Sequence, residues 1–173
     1  MRFFGLLIAI FALSFGLEIG ELDIKSDNIS GKFDEKMIIK GFEKAIISSG
    51  DFRIKNEEIF WNTKEPIKSS IKINNEGVFE LAKKKKWVKI RDSMFDKEMF
   101  LAIFRLDLDK LKDDFDIKLK GSKDDWQINL KPKSTIFKQI FDAIRIKGGK
   151  FVSEIYIKQA NGDVVVSKFS DVK

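Results

Sequence analysis

The sequence predicts a mainly β domain of the α+β class, built on one highly curved antiparallel sheet or part-barrel. Most of the chain from residue 32 onward alternates apolar and polar residues with a period of two, and turn residues separate these runs. One stretch, residues 93–115, changes to helical spacing, which predicts one main helix packed against the sheet. The 173 residues are enough for one ordinary domain.

The beginning of the chain has the pattern of a secretory signal peptide, residues 1–16. Arg2 gives a positively charged start, an uncharged and almost wholly apolar run follows it, and Ser14 and Gly16 are small residues suited to positions −3 and −1 of a cut. The apolar run is shorter than the ~20 residues of a membrane span, although an uncleaved anchor helix is the alternative. We therefore expect cleavage after Gly16, and residues 17–173 to form one exported domain.

Apolar and polar alternation predicts the strands of the first half of the domain. In AIISSGDFRI the small Ser48 and Gly50 allow a bulky group to approach, or allow the strand to bend. Pro66 cannot donate to a ladder, so it belongs at a strand start or edge. The predicted strands are KFDEKMIIK, AIISSGDFRI, IFWNT, PIKSSIKI, VFELA and WVKIR, with turns at NEE and NNEG.

The predicted helix carries two neighbouring apolar stripes, so it must lie against another apolar surface. Ser93 or Asp96 is placed to cap its start, and a break is predicted near Asp107. The first stripe is Phe95, Met99, Ile103 and Leu106, and the second is Phe100, Phe104, Leu108 and Leu111.

Strands resume after the helix and bring the predicted total to about nine to eleven. Residues 137–147 are ambiguous and are expected to end as a strand. Asn161 followed by Gly162 is a strong signal for a type I′ turn between the last two strands. The clearly alternating runs are FDIKLKG, WQINLKP and KFVSEIYIKQ, and DVVVSKF closes the chain.

The composition argues against catalysis and metal binding. Absence of cysteine excludes disulfides, thiolate metal sites and cysteine nucleophiles, and absence of histidine removes the usual proton shuttle and the commonest metal ligand. The acidic pairs in the sequence are interpreted as solvated carboxylates. We expect no enzyme activity, no cofactor and no metal. The 33 basic residues are mixed with 27 acidic ones and form no stripe, so we expect no nucleic acid partner.

The apolar inventory is the main functional signal. The chain has 17 Phe and three Trp for what is predicted to be one sheet and one helix. Trp61, Trp87 and Trp126 are plain core in one interpretation, and in the other part of the concave face is a surface for an apolar ligand. The lysine run at residues 83–86 is a solvated hairpin tip that protects a sheet edge, or alternatively a patch for an anionic membrane or an acidic partner.

The order of several motifs resembles a known family. GKFDEKMIIKGFEKAIISSGDFRI, IFWNTKEPI, a turn with Gly77, WQINLKP and a strand pair around NGD follow one another along nearly the whole mature chain. The matching positions are Phe33, Gly50, Trp61 and Pro66. Together these motifs resemble the periplasmic outer-membrane lipoprotein carrier family (LolA-like), of which this chain looks like a divergent branch.

The resemblance implies an unclosed β-barrel with a helix packed in or over its mouth, and an apolar cavity that carries lipoprotein acyl chains through the periplasm. The cargo is a lipoprotein or another lipid, taken from an inner-membrane transporter and passed to an outer-membrane receptor by a monomeric carrier. Classical members have an Arg-Pro step upstream of the Trp that governs handover. Here Lys55 stands at that place as a substitute, and residues 17–30 are too short and irregular for the family's first helix.

These observations define a predicted lipid-binding site: a concave apolar pocket of several hundred cubic ångströms between helix 95–111 and the sheet. The alternative is a periplasmic interaction domain with a filled core and no lipid cargo. The predicted sheet-side lining is Phe52, Ile54, Ile59, Trp61, Ile71, Ile73, Phe79 and Leu81. The predicted helix-side lining is Phe95, Met99, Ile103 and Leu106.

Overall fold

The computed structural model describes residues 21–82, 85–90 and 97–173, apart from the side chains of Lys97 and Phe100. Within these ranges, no helix is long and apolar enough to cross a membrane.

Several sequence predictions lie outside the described residues. They are the signal peptide, the helix caps Ser93 and Asp96, the helix residue Phe95, and Lys83 and Lys84 of the lysine run.

The described chain contains eleven strands and three short helices. The strands are β1 (Ile29–Ile38), β2 (Ile46–Lys55), β3 (Glu58–Glu65), β4 (Ser69–Asn74), β5 (Gly77–Leu81), β6 (Trp87–Lys89), β7 (Phe115–Gly121), β8 (Trp126–Pro132), β9 (Phe141–Gly148), β10 (Val152–Gln159) and β11 (Val164–Ser170). The helices are α1 (Lys97–Arg105), α2 (Leu108–Leu111) and α3 (Thr135–Ile140).

All eleven strands belong to one antiparallel sheet, in the order β6-β5-β4-β3-β2-β1-β11-β10-β9-β8-β7. The first six strands form a meander that leads away from β1, and the last five form a meander that leads back to it. The pairing of β1 with β11 therefore joins the two halves. Because β6 and β7 are separate edges, the sheet does not close, which confirms the predicted fold class: mainly β, with an unclosed barrel.

One face of the sheet, the inner face, carries the core because the apolar residues of each strand recur at every second position. Phe33 on β1, Ile59 on β3, and Ile146 on β9 are almost completely buried. The helices α1 and α2 cover the same face with Met99, Ile103 and other buried residues. Full burial of such a side chain contributes about 1.5–3 kcal/mol, so the alternating pattern fixes which face turns inward.

The single predicted helix consists of two shorter helices, α1 and α2. The break between them lies close to Asp107, where a break was predicted. Leu106 has a φ of 53° and ends α1 in the left-handed conformation. Its N–H donates to the carbonyl oxygen of Ile103, and the N–H of Asp107 donates to that of Ala102. This is the Schellman pattern of helix ends, which satisfies the last carbonyls and turns the chain into α2.

Residues 137–147 resolve into a helix and a strand. Ser134 caps α3 because its Oγ accepts a hydrogen bond from the N–H of Phe137, at 3.4 Å. Phe137 is buried and its ring stacks on Phe115, with centroids 5.3 Å apart. Strand β9 follows at once from Phe141, so the expectation of a strand at the end of this segment is confirmed.

Two local predictions were wrong. The first strand begins at Ile29 and not at Lys32, because residues 29–31 also pair with β2. The β10–β11 turn is not type I′, since Gly162 has a φ of 94° while Asn161 has no positive φ. The N–H of Gly162 donates to the carbonyl oxygen of Gln159, as in a three-residue loop that ends in a left-handed glycine.

Gly50 is required by a close approach of the backbone. It lies at a register irregularity between β2 and β3, where a Cβ would collide with the carbonyl oxygen of Asn62 and come within 2.9 Å of the Phe33 ring. The sequence predicted either the approach of a bulky group or a bend in the strand; a bulky group does approach, namely Phe33, which is opposite Gly50 across the β1–β2 pair.

We expect Gly50→Ala to destabilise the fold by about 2–3 kcal/mol, because neither the Asn62 backbone nor the buried Phe33 ring can move away freely. Urea unfolding measures this difference. Ser49→Ala, one residue away and only half-buried, is the control and should change stability by less than about 0.5 kcal/mol. Equal stability of Gly50→Ala and the wild type would contradict this close packing around Gly50.

Candidate functional site

A cavity of about 420 Å³ lies between α1 and the inner face of the sheet. Its position and size agree with the predicted pocket of several hundred cubic ångströms. The lining comes from six strands, from α1 and from the residue that follows β6. It consists of Trp61, Ile71, Ile73, Val78, Ile90, Phe104, Ile155, Ile157 and Val165, together with Glu35 and Ser167.

An aromatic cluster seats α1 on the sheet and forms one wall of the cavity. The Trp61 ring stacks on Phe33, with centroids 4.0 Å apart, and meets the edge of Phe104 at 5.5 Å. Phe169 on β11 contacts Trp61, Phe104 and Phe52 in edge arrangements. Aromatic pairs of this kind contribute about 0.5–1.5 kcal/mol each beyond the area that they bury. The cluster therefore fixes α1 at this end, while the cavity remains beside it.

Three of the predicted sheet residues line this cavity, namely Trp61, Ile71 and Ile73. They share a face because β3 and β4 pair Trp61 with Ile71 and Ile59 with Ile73. The β3–β4 register therefore gives these three side chains the same inward direction that the alternation in the sequence predicted.

Five predicted site residues are buried in the core and do not line the cavity. Ile59 is 0% exposed and Ile103 is 1% exposed, so a ligand in the cavity would not touch them. The other three are Phe52, Ile54 and Met99. Leu106 is partly buried and packs against the same core without lining the cavity.

The predicted inward facing of Phe79 and Leu81 was wrong. Asn74 pairs with Gly77 across a tight hairpin, so Val78 is opposite Ile73 and Phe79 is opposite Lys72. Phe79 and Leu81 thus lie on the outer face, where the Nζ of Lys72 is 4.9 Å from the centre of the Phe79 ring. The mistake was a slip of one residue in β5, which reverses every side chain of a strand.

Most of the opposite wall of the cavity was not predicted from the sequence. Phe104 belongs to the second helical stripe, and Ile155 and Ile157 alternate in KFVSEIYIKQ, so the signal for these three was present. Val165 could be assigned only with the β10–β11 register.

The three tryptophans have different environments. Trp126 is core, 1% exposed, and its Nε1 donates to the carbonyl oxygen of Gly149 at 2.7 Å. Trp61 is half-buried on the cavity wall. Trp87 lies on the outer face of edge strand β6, 37% exposed, near the Phe60 ring. Only Trp61 therefore fits the ligand-surface interpretation for this cavity.

The cavity has one polar spot on its otherwise apolar wall. Glu35 on β1 is opposite Ser167 on β11, and the Ser167 hydroxyl donates to Oε2 of Glu35 at 2.9 Å. Ser167 is 4% exposed. The alternation of KFDEKMIIK puts Glu35 on the same face as Phe33, so the sequence contained this signal as well.

Lys55, the predicted handover residue, is the exposed last residue of β2 and does not line the cavity. The tight turn after it is formed by Asn56 and Glu57, both with positive φ. Glu57 lies 3.5 Å from Nη1 of Arg105 at the end of α1. The hairpin that carries Lys55 is therefore tied to the helix that covers the cavity.

A larger and more open groove of about 720 Å³ lies on the outer face, and two ion pairs contribute to its lining. Lys64 hydrogen-bonds Asp51 and holds the pKa of that carboxyl below its usual value. Lys32 does the same for Asp171 through a hydrogen bond and its charge. An acyl chain would gain little in a groove lined by these charged groups, so the smaller inner cavity is the better candidate for an apolar ligand.

Within the described residues, no group of three or more carboxylates is arranged to hold a metal ion. The exposed Lys85 and Lys86 belong to the β5–β6 connection beside the sheet edge, where a solvated hairpin tip was one of the two interpretations.

No protein-family model and no curated protein matches the chain. Among solved structures, it is similar to a LolA superfamily protein from Nitrosomonas europaea, with a TM-score of 0.48, 10% identity and 88% of each chain covered. It is also similar to a DUF1329 family protein from Desulfovibrio piger, with a TM-score of 0.33, 11% identity and 85% of each chain covered. A third protein, named as an outer membrane lipoprotein-sorting protein domain from Vibrio parahaemolyticus, has a TM-score of 0.31, 6% identity and 86% of each chain covered. At these identities and TM-scores, the function must be argued from the chain's own cavity.

Proposed function

We propose that this protein is a periplasmic carrier that holds the acyl chains of lipoproteins, or of a related lipid, in the inner cavity and moves them toward the outer membrane. The observation that carries the proposal is the cavity of about 420 Å³ with nine apolar lining residues between α1 and the sheet. Ligand pockets in proteins have volumes of about 300–1,000 Å³ and mostly apolar walls, so this cavity is of the right kind.

The physical need for such a carrier follows from the cost of exposing hydrocarbon to water. Each CH₂ group costs ~0.8 kcal/mol, so a chain of 16 carbons costs about 12 kcal/mol. A carrier must return most of this through apolar contact and still release the chain. A cavity between a short helix and an unclosed sheet suits this requirement, because a ligand can enter and leave without disrupting the strand pairing.

The alternative function, an interaction domain without cargo, requires a continuous filled core between helix and sheet. The free space between Phe104 of α1 and Ile73 of β4 supports the carrier over that alternative. Under the proposal the protein acts as a non-enzymatic monomer. Its partners are an inner-membrane transporter and an outer-membrane receptor.

Protein purified from the periplasm of its native host should contain lipid or lipoprotein detectable by mass spectrometry, and the emptied protein should take up a fluorescent acyl probe. Both results follow from the free energy that a buried acyl chain gains in the cavity. Repeated absence of lipid together with no uptake of the probe would rule out the carrier.

Filling the cavity should weaken acyl binding without unfolding the protein. We expect Val78→Phe to weaken acyl binding at least tenfold, because Val78 is half-buried on the cavity wall and its larger replacement occupies the ligand's space. Fluorescent probe titration measures binding, and thermal unfolding verifies the fold. Leu81→Phe is the matched control, since it enlarges a side chain of the same strand on the outer face. A similar loss in both variants would mean that the probe does not occupy this cavity.

We further propose that Lys55 acts in handover, given its exposed position on the hairpin that Glu57 ties to α1. Lys55→Ala is expected to slow transfer of a bound acyl probe to acceptor vesicles of phosphatidylethanolamine and phosphatidylglycerol several-fold, while equilibrium binding stays unchanged. Stopped-flow fluorescence measures the rate. Lys118→Ala, an exposed lysine on β7, is the control, and an equal effect there would indicate a general influence of surface charge.

A further inference from the structure

Glu35 is the carboxylate on the cavity wall, and its surroundings on the inner face are known from the register. It lies opposite Ser48 on β2 and Ser167 on β11, so a row of three polar residues crosses three adjacent strands. Along β1 its inward neighbours are Phe33 and Met37. The row is therefore an island of hydrogen-bonding groups in an apolar surface.

The hydrogen bond from Ser167 fixes one oxygen of the carboxylate and leaves the other for a ligand. Ser167 donates to Oε2 of Glu35 at 2.9 Å. Within the part of the chain that the structure describes, no lysine or arginine forms an ion pair with Glu35. A carboxylate beside apolar groups is costly unless hydrogen-bond donors satisfy it, so a ligand that brings a donor gains there and a ligand that brings a second anion loses.

The order of the strands shows where the polar spot lies within the apolar lining. Trp61, Ile71 and Val78 line the part of the cavity under β3, β4 and β5, whereas Glu35 and Ser167 lie toward β1 and β11. An acyl chain that follows the apolar side chains across the strands reaches β5 with its tail when its polar end lies at Glu35. Ile155 and Ile157 of β10 lie on the other side of Glu35 and Ser167, so this pair is a polar spot within an apolar lining, where the polar end of a ligand can lie while its tail contacts apolar side chains.

We propose that Glu35, positioned by Ser167, selects acyl ligands whose polar end carries an N–H donor, such as an acyl amide or an ammonium group, over acyl ligands that end in a carboxylate. The inference rests on the proposed carrier function and names the class of cargo that the cavity prefers. Glu35 is the residue that touches the ligand, and Ser167 acts only through Glu35.

The probes are dodecanamide, dodecylamine and dodecanoate, which share one chain length and differ at the polar end. The mature protein is first freed of bound lipid and loaded with a fluorescent acyl probe, and each ligand then displaces this probe. We expect the amide and the amine to bind the wild type at least tenfold more tightly than dodecanoate does. Equal affinity of dodecanoate would overturn the proposal without any variant.

Glu35→Gln preserves the shape of the side chain and removes its charge, so we expect dodecanoate to gain about tenfold and dodecylamine to lose about tenfold in affinity. Asp34→Asn is the matched control, because it removes the same charge from the neighbouring residue on the exposed face of β1. The control should keep the wild-type preference. A similar shift in both variants would indicate long-range charge effects and would overturn the role of Glu35.

Ser167→Ala tests whether Ser167 positions Glu35. It also keeps the proposal testable if Glu35→Gln fails to fold. We expect the amide-over-dodecanoate preference to fall several-fold while dodecanoate affinity stays nearly constant, because the carboxylate remains but loses its fixed orientation. An unchanged preference would overturn the positioning role of Ser167. If no probe binds the wild type at all, the carrier function itself fails, whereas binding without a preference for N–H donors defeats only the role of Glu35.

Discussion

The pairing of β1 with β11 is the interaction on which the rest of the structure depends. The two strands lie at opposite ends of the domain sequence, and they make the two meanders into one sheet. Their register sets Phe33 opposite Phe169 and Glu35 opposite Ser167, a hydrogen-bonded pair 132 residues apart in sequence. Without it, the aromatic cluster would lose Phe169 and the polar spot of the cavity would not exist. Closing a loop of that length costs chain entropy before any contact repays it, so we expect this pairing to form after the local hairpins.

The inner face of the sheet is filled in one region and open in another. In the region formed by β8 and β9, Trp126, Ile128 and Ile146 are at most 1% exposed, so the core there is filled. In the region formed by β3 to β5, Trp61, Ile71 and Val78 remain partly exposed to the cavity. An unfilled space forfeits packing contacts and lowers stability, which a protein tolerates only where other parts of its core compensate. The filled region therefore compensates for the packing contacts that the open region lacks.

Sequence periodicity predicted the parts of the fold that depend on local patterns. Single-face alternation predicted the strands, and for Trp61, Ile71 and Ile73 it also predicted the cavity wall. Helical spacing predicted α1 and its break, although it could not separate core residues such as Ile103 from cavity residues such as Phe104. Both side chains are apolar and both lie on the covered face of α1. Whether a side chain meets another side chain or empty space depends on distant strands, and no local pattern contains that information.

The direction in which side chains point was predicted wrongly where a difference of one residue in register decides it. In β5 both Val78 and Phe79 are apolar, so alternation alone allowed either to face inward. Because Asn74 pairs with Gly77 in the hairpin, Val78 faces inward and Phe79 lies on the outer face, beside Lys72. The same logic favours function at Glu35, where the register is fixed on both sides by β2 and β11. A carboxylate held inward by two neighbouring strands cannot move to the outer face without a shift of the whole strand, so its place on the cavity wall is a property of the sheet itself.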